Sequence, residues 1–218
     1  GLALGVLGVL AFVVTLDSVQ EHDDLMVVDE PVLDWLVRNR SDAGTAVLYA
    51  ITLVSGPLVL PVLVGSGVIA WGLLRRRWWR PLLLLASVAG ASVISLAIKQ
   101  GVARPRPPVE YQYVPGAETT FSFPSGHTIV TATLCLVAGY LIWSRCPTKR
   151  RLTLGLAASL ALTSAVGLSR LYLGYHFVTD VLAAVALAVA VLGAVVVADR
   201  LRAVRRRAPH PSGGRERP

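Results

Sequence analysis

Long uncharged apolar runs, separated by short charged ones, leave this chain very few folds to choose from. About 20 consecutive apolar residues cross a bilayer as a helix. Runs near or above that length recur at Gly1 to Leu16, Thr45 to Leu74, Pro81 to Ala103, Ser125 to Trp143, Leu152 to Leu168 and Phe177 to Ala198. They are continuous rather than alternating, which disfavours a β-barrel. Only 16% of the residues are charged and 54% are hydrophobic, against roughly 25% charged in soluble domains. The expected fold is all-α, a polytopic membrane protein built as one six-span bundle over residues 1–199. Residues 200–218, basic and rich in Pro and Gly, are expected to form a disordered cytoplasmic tail.

Two interruptions carry further detail. The acidic stretch Asp17 to Gly44 contains Asp29-Glu30-Pro31, which has the form of a helix start, with acids at the positive end and proline in the first turn. Val32, Leu33, Leu36 and Val37 then recur at helical spacing. They predict a short amphipathic helix on the outer side, lying on the membrane surface or packed as a loop helix. Pro57 and Pro61 fall inside the second span and predict a kink there.

The net charge of +8 invites a nucleic-acid reading, but the basic residues cluster in short runs between spans. That is the pattern of cytoplasmic loops under the positive-inside rule. With the N-terminus inside, the outer segments hold Arg38, Arg40, Lys99, Arg104, Arg106 and Arg170, six of the 21 basic residues, and fifteen stay inside. Of the 13 acidic residues, only Asp199 and Glu216 fall inside. Both termini are therefore expected in the cytoplasm, and the first run reads as a retained helix rather than a cleaved signal peptide. No nucleic-acid partner is expected.

The same topology gathers three polar clusters on the outer face. The first is Lys99 with Arg104-Pro105-Arg106-Pro107, the second Pro124-Ser125-Gly126-His127, the third Ser169-Arg170 followed by His176 and Asp180. Each has a plain structural reading when taken alone: a snorkelling lysine, a capped helix start, a local His–Asp hydrogen bond. Together they bring cations, a helix N-terminus and two histidines to one surface, as an anion-handling site requires. His176 and Asp180, four apart, share a helix face, and a carboxylate on one ring nitrogen frees the other to attack or exchange a proton. No His/Cys/Asp group has metal-ligand spacing, and His22 and His210 stand alone, so neither metal nor cofactor is expected.

In order and spacing these clusters resemble the signature of the type 2 phosphatidic acid phosphatase superfamily: Lys-x6-Arg-Pro, Pro-Ser-Gly-His, and Ser-Arg-x5-His-x3-Asp. The resemblance implies a metal-independent membrane lipid phosphatase working through a phosphohistidine. In that reading His176 is the nucleophile, Asp180 orients its ring, and His127 is the acid, then the base. Lys99, Arg106, Arg170, Ser125 and the Gly126 backbone would bind the phosphoryl group, with Arg104 and Ser169 as additional candidates. The expected partner is an amphiphilic lipid phosphate at the periplasmic or extracellular face, first an isoprenoid carrier such as undecaprenyl diphosphate. Phosphatidylglycerol phosphate or phosphatidic acid is the alternative. A vanadate-dependent haloperoxidase and a non-enzymatic lipid transporter are the remaining classes.

Overall fold

The computed structural model describes residues 1–21, 24–116 and 118–207. His22, the far tail with His210, and the rest of 208–218 lie outside the described residues. Among the described residues there are eight α-helices: α1 (Leu2–Glu21), α2 (Asp29–Arg38), α3 (Asp42–Val54), α4 (Val59–Arg75), α5 (Trp79–Val102), α6 (Gly126–Trp143), α7 (Lys149–Tyr172) and α8 (Val178–Arg207). Short 3₁₀ turns at Asp24–Val28 and Val109–Tyr111 complete the set, and no strand occurs among the described residues.

Helices α1, α5, α6, α7 and α8 are each long and apolar enough to cross a bilayer. The sixth candidate span is a bent pair, α3 and α4, which meet at 50°. Pro57 sits between them, so the ladder stops at Ser55, whose Oγ turns back to donate to Ile51 O at 2.8 Å. Pro61 is tolerated in the first turn of α4, where its missing N–H would have had no partner. Two helix starts are capped by side chains: Ser41 Oγ accepts from Gly44 N at the start of α3, and Thr148 Oγ1 from Arg151 N at the start of α7, both at 3.2 Å.

Helices α6 and α8 lie at the centre, with α5, α7 and α1 packed around them. Small residues permit the tightest of these contacts. A Cβ built on Gly193 of α8 would lie 2.6 Å from Gly5 Cα of α1, a distance only a bare backbone allows. The outward surface is apolar: Leu7, Leu73 and Leu160 are each 60% exposed or more. In water so much apolar surface would aggregate; against acyl chains it is the matching surface.

Helix α2 begins at Asp29, as its Asp-Glu-Pro start predicts. Of the two placements left open, it packs on the bundle. Leu36 is buried against Tyr172, Leu173 and Tyr175 beyond the end of α7, while Trp35 points outward. Burying a leucine there is worth about 1.5–3 kcal/mol. One boundary differs: α8 continues past the expected end at Asp199 as far as Arg207. Leu201 and Val204 interleave with Arg200, Arg202 and Arg205, so the basic segment keeps good helix formers and no breaker until Pro209.

Candidate active site

The end of α7 and the start of α8 form the centre of the polar end of the bundle. Ser169 and Arg170 belong to the last turn of α7, which closes with Leu173 N donating to Ser169 O at 3.1 Å. Gly174 then reverses the chain at φ +75, and a side chain there would run into the carbonyl of Tyr111. His176 follows, 1% exposed, with Nδ1 3.1 Å from Asp180 Oδ2. Asp180 Oδ2 also accepts from Phe177 N at 2.9 Å, so its carboxylate serves as a reverse cap for the first turn of α8. With Nδ1 as the donor to Asp180, the lone pair of His176 resides on Nε2. Arg106 Nη1 approaches that nitrogen at 3.3 Å.

Around Nε2 lie the expected cations. Arg106 is held by Thr120 O (2.6 Å) and Tyr175 O (2.8 Å). Lys99, buried near the end of α5, donates to the carbonyls of Phe121 and, at 3.2 Å, Ser122. Arg170 bonds Thr52 Oγ1 at 2.9 Å, which ties it to the last turns of α3. Between the two arginines sits a residue to which the sequence reading gave no role. Glu118 accepts from Arg106 Nη2 at 3.2 Å and from Arg170 Nη2. Burial would push its carboxyl up, but Arg170 and Arg106 outweigh that and hold it below the ordinary value. A carboxylate bridging two guanidinium forks is the geometry a phosphoryl group would also adopt.

The remaining candidates sit differently. Arg104 faces away from this cluster, behind Asp180. Its Nη1 donates to Asp180 Oδ1 and to Thr179 Oγ1, and its Nη2 to Asp29 Oδ2, all at 2.7 Å. Asp29 accepts in addition from Thr179 N at 2.9 Å and from Thr179 Oγ1 at 2.6 Å. Both terminal nitrogens of Arg104 are thus engaged with two buried carboxylates. Ser125 is the N-cap of α6, but its fully buried hydroxyl pairs with Thr128 Oγ1 at 3.0 Å, while its backbone N donates to Asp180 O at 3.1 Å. Ser169 Oγ bonds Val166 O at 2.7 Å inside its own helix and lies 3.2 Å from Thr52 Oγ1.

His176, His127, Gly126, Lys99, Arg106 and Glu118 share the wall of one cavity of about 480 Å³. Its other end is apolar, lined by Leu60 and Val64 of α4, Leu85, Val88 and Leu96 of α5, and Val130 of α6. The α3–α4 break forms its rim: a Cβ on Gly56 would come within 3.6 Å of His127 Nε2. At Gly126 a Cβ would meet nothing nearer than Lys99 Cε at 4.0 Å, so the helix start is left open towards the cavity. Burial, reinforced by Arg106, Arg170 and Lys99, lowers His176 well below its ordinary value of 6.5. That favours the neutral ring, the form in which an imidazole nitrogen can attack. No cluster of three or more His, Cys, Asp or Glu side chains suited to a metal occurs among the described residues.

Comparisons with known proteins bear on the family and the fold. A family model described as the PAP2 superfamily matches residues 80–202. Phosphatidylglycerophosphatase B of Bacillus subtilis (strain 168) is 30% identical over 182 residues, 80% of this chain and 81% of that one. Phosphatidylglycerophosphatase B of Escherichia coli (strain K12) is 43% identical over 67 residues, 31% of this chain and 24% of its own length. The crystal structure of a transmembrane PAP2-type phosphatidylglycerolphosphate phosphatase from Bacillus subtilis aligns with a TM-score of 0.75 at 27% identity, covering 89% of this chain and 96% of that one. The chain belongs to the PAP2 superfamily and is a multi-pass membrane lipid phosphatase, a hydrolase of phosphate esters.

Proposed function

We propose that the chain removes the terminal phosphate of phosphatidylglycerol phosphate through a phosphohistidine on His176. The observation that carries this is one cavity with a neutral histidine and two cations, Lys99 and Arg106, at its polar end and apolar walls beyond. A lipid phosphomonoester fits it head first. Relatives named phosphatidylglycerophosphatase B support the glycerolipid, the alternative expectation, over the isoprenoid diphosphate expected first. The asymmetry of basic residues supports both termini in the cytoplasm and the catalytic end outside.

In the first step, His176 Nε2 attacks phosphorus and the P–O bond to the glycerol oxygen breaks. His127 delivers its proton to that departing oxygen. In the second, water attacks the phosphohistidine as His127 takes its proton, the N–P bond breaks and inorganic phosphate leaves. Arg106 and Arg170, released from Glu118, neutralise the phosphoryl oxygens with Lys99 and the free N–H groups at the start of α6. Fixed donors aimed at developing charge are the main requirement of phosphoryl transfer. Asp180 holds the proton on His176 Nδ1 and stabilises the positive ring as the N–P bond forms.

The test ranks kcat/KM over phosphatidylglycerol phosphate, phosphatidic acid and undecaprenyl diphosphate in detergent. Phosphatidylglycerol phosphate should lead; a leading diphosphate overturns the substrate assignment. Rapid acid quench with labelled substrate should trap an acid-labile phosphoenzyme that His176→Ala lacks, and a species persisting in that variant would overturn the nucleophile.

A further inference from the structure

The larger cavity of the molecule is not the catalytic one. About 910 Å³ opens between α4 and α6 towards the end of the bundle opposite His176. Leu63, Val64, Val68, Leu134 and Leu141 form its walls, and Trp71 stands near its mouth. Three arginines from three different segments converge on that mouth: Arg75 in the last turn of α4, Arg145 just after α6, and Arg151 in the first turn of α7. Arg145 stacks over the Trp71 ring at 5.5 Å.

Among the described residues no carboxylate pairs with these three arginines. Asp199 is the sole carboxylate at this end among the described residues, and Arg80, Trp79 and Tyr140 engage it at 3.1–3.3 Å. None of Arg75, Arg145 or Arg151 forms an ion pair with a described carboxylate. Burial, then the neighbouring Arg80, Arg75 and Arg77, lowers the pKa of Arg145, the mark of cations crowded without an anion. Arginines that merely flank a span need no groove between them, and an apolar groove that merely takes acyl chains needs no arginines. Their meeting at one mouth, with an indole at interfacial depth, matches a lipid carrying a negative head.

We propose that this groove is a second lipid site, occupied by an anionic phospholipid whose headgroup phosphate is clasped by Arg75, Arg145 and Arg151 and whose acyl chain lies along α4 and α6. None of these three arginines is among the residues assigned to the reacting phosphate, although Arg151 shares α7 with Arg170. The two cavities nevertheless share Leu60 and Val64 of α4 as wall residues, so the occupant braces the helix that also lines the catalytic groove.

The full chain, purified in detergent, is titrated with phosphatidylserine or phosphatidylcholine and followed by native mass spectrometry and thermal melting. Phosphatidylserine is chosen because it carries no phosphomonoester for the catalytic site. One molecule should be retained with at least about tenfold preference over phosphatidylcholine, since each arginine near an anionic headgroup contributes measurably. Arg75→Gln/Arg145→Gln/Arg151→Gln should abolish the preference while leaving hydrolysis of a short-chain soluble substrate intact. Gly67→Leu fills the groove instead of changing its charge. Because a Cβ at Gly67 meets nothing within 4 Å, this variant should fold normally and lose the bound lipid. Equal retention of both lipids, a preference surviving either variant, or a second copy of the chain covering the groove in place of lipid would each overturn the proposal.

Discussion

Glu118 is the residue on which the chemistry of the cup turns. Its carboxylate bridges Arg106 and Arg170, in the position best suited to two phosphoryl oxygens. A substrate must displace it, and hydrogen bonds to charged groups are worth about 1.5–3 kcal/mol each. Glu118→Gln should therefore tighten competitive inhibition by inorganic phosphate or vanadate, by about tenfold if one such bond is relieved. An unchanged inhibition constant would mean that the carboxylate does not compete for the cup. The same residue bears on pH. His176 acts only as a neutral ring, and its lowered pKa keeps it neutral as the pH falls below 6.5. The acid limb of kcat/KM should accordingly lie below pH 6.5. Glu118 is a neighbour that raises the His176 value, so Glu118→Gln should move the acid limb lower still. A limb at or above pH 6.5 in the free enzyme contradicts the buried, cation-flanked ring.

Among elements, the link from α2 to α8 matters most. Asp29 at the start of α2 and Asp180 in the first turn of α8 share the two ends of one guanidinium, and all three side chains are buried. Removing the cation from such a trio leaves two unpaired buried carboxylates, at a cost of about 3–5 kcal/mol. Arg104→Leu should thus lower the melting temperature and the activity together. Adding Asp29→Asn should restore part of the stability without restoring kcat, because Asp180 would still lack its second anchor. Recovery of both would make Arg104 a matter of folding alone. The sequence exposed half of this arrangement. Asp29 announces itself as a helix-start acid, which it is; its bond to a residue 75 positions away leaves no trace in local spacing. Arg104 was legible as a cation of the outer face, but which side of Asp180 it occupies depends on how the chain leaves α5 after the left-handed Ala103. Thr52 and Glu118 were invisible for the same reason: neither belongs to a motif, and both enter the site through long-range packing.

Across the whole molecule, the six apolar runs, the kink at Pro57 and the gathering of three motifs at one end were all readable. Each is a consequence of periodicity and of the thickness of a bilayer. In the proposed mechanism charge in the transition state is met by Arg106, Arg170, Lys99 and a helix start, so hydrolysis should survive exhaustive chelation with EDTA. Loss of turnover on chelation, restored by a divalent cation, would require a different account of that charge. The reach of Asp29 has a further consequence. Asp29 and Thr52 both precede the region 80–202 that the family model matches, yet they complete the bonding of Arg104 and Arg170. The signature is therefore not a portable cassette. A chimaera that grafts 80–202 onto foreign leading helices would inherit every named motif and still mis-set its histidine, unless the donor's first loop and its Asp29 travelled with it.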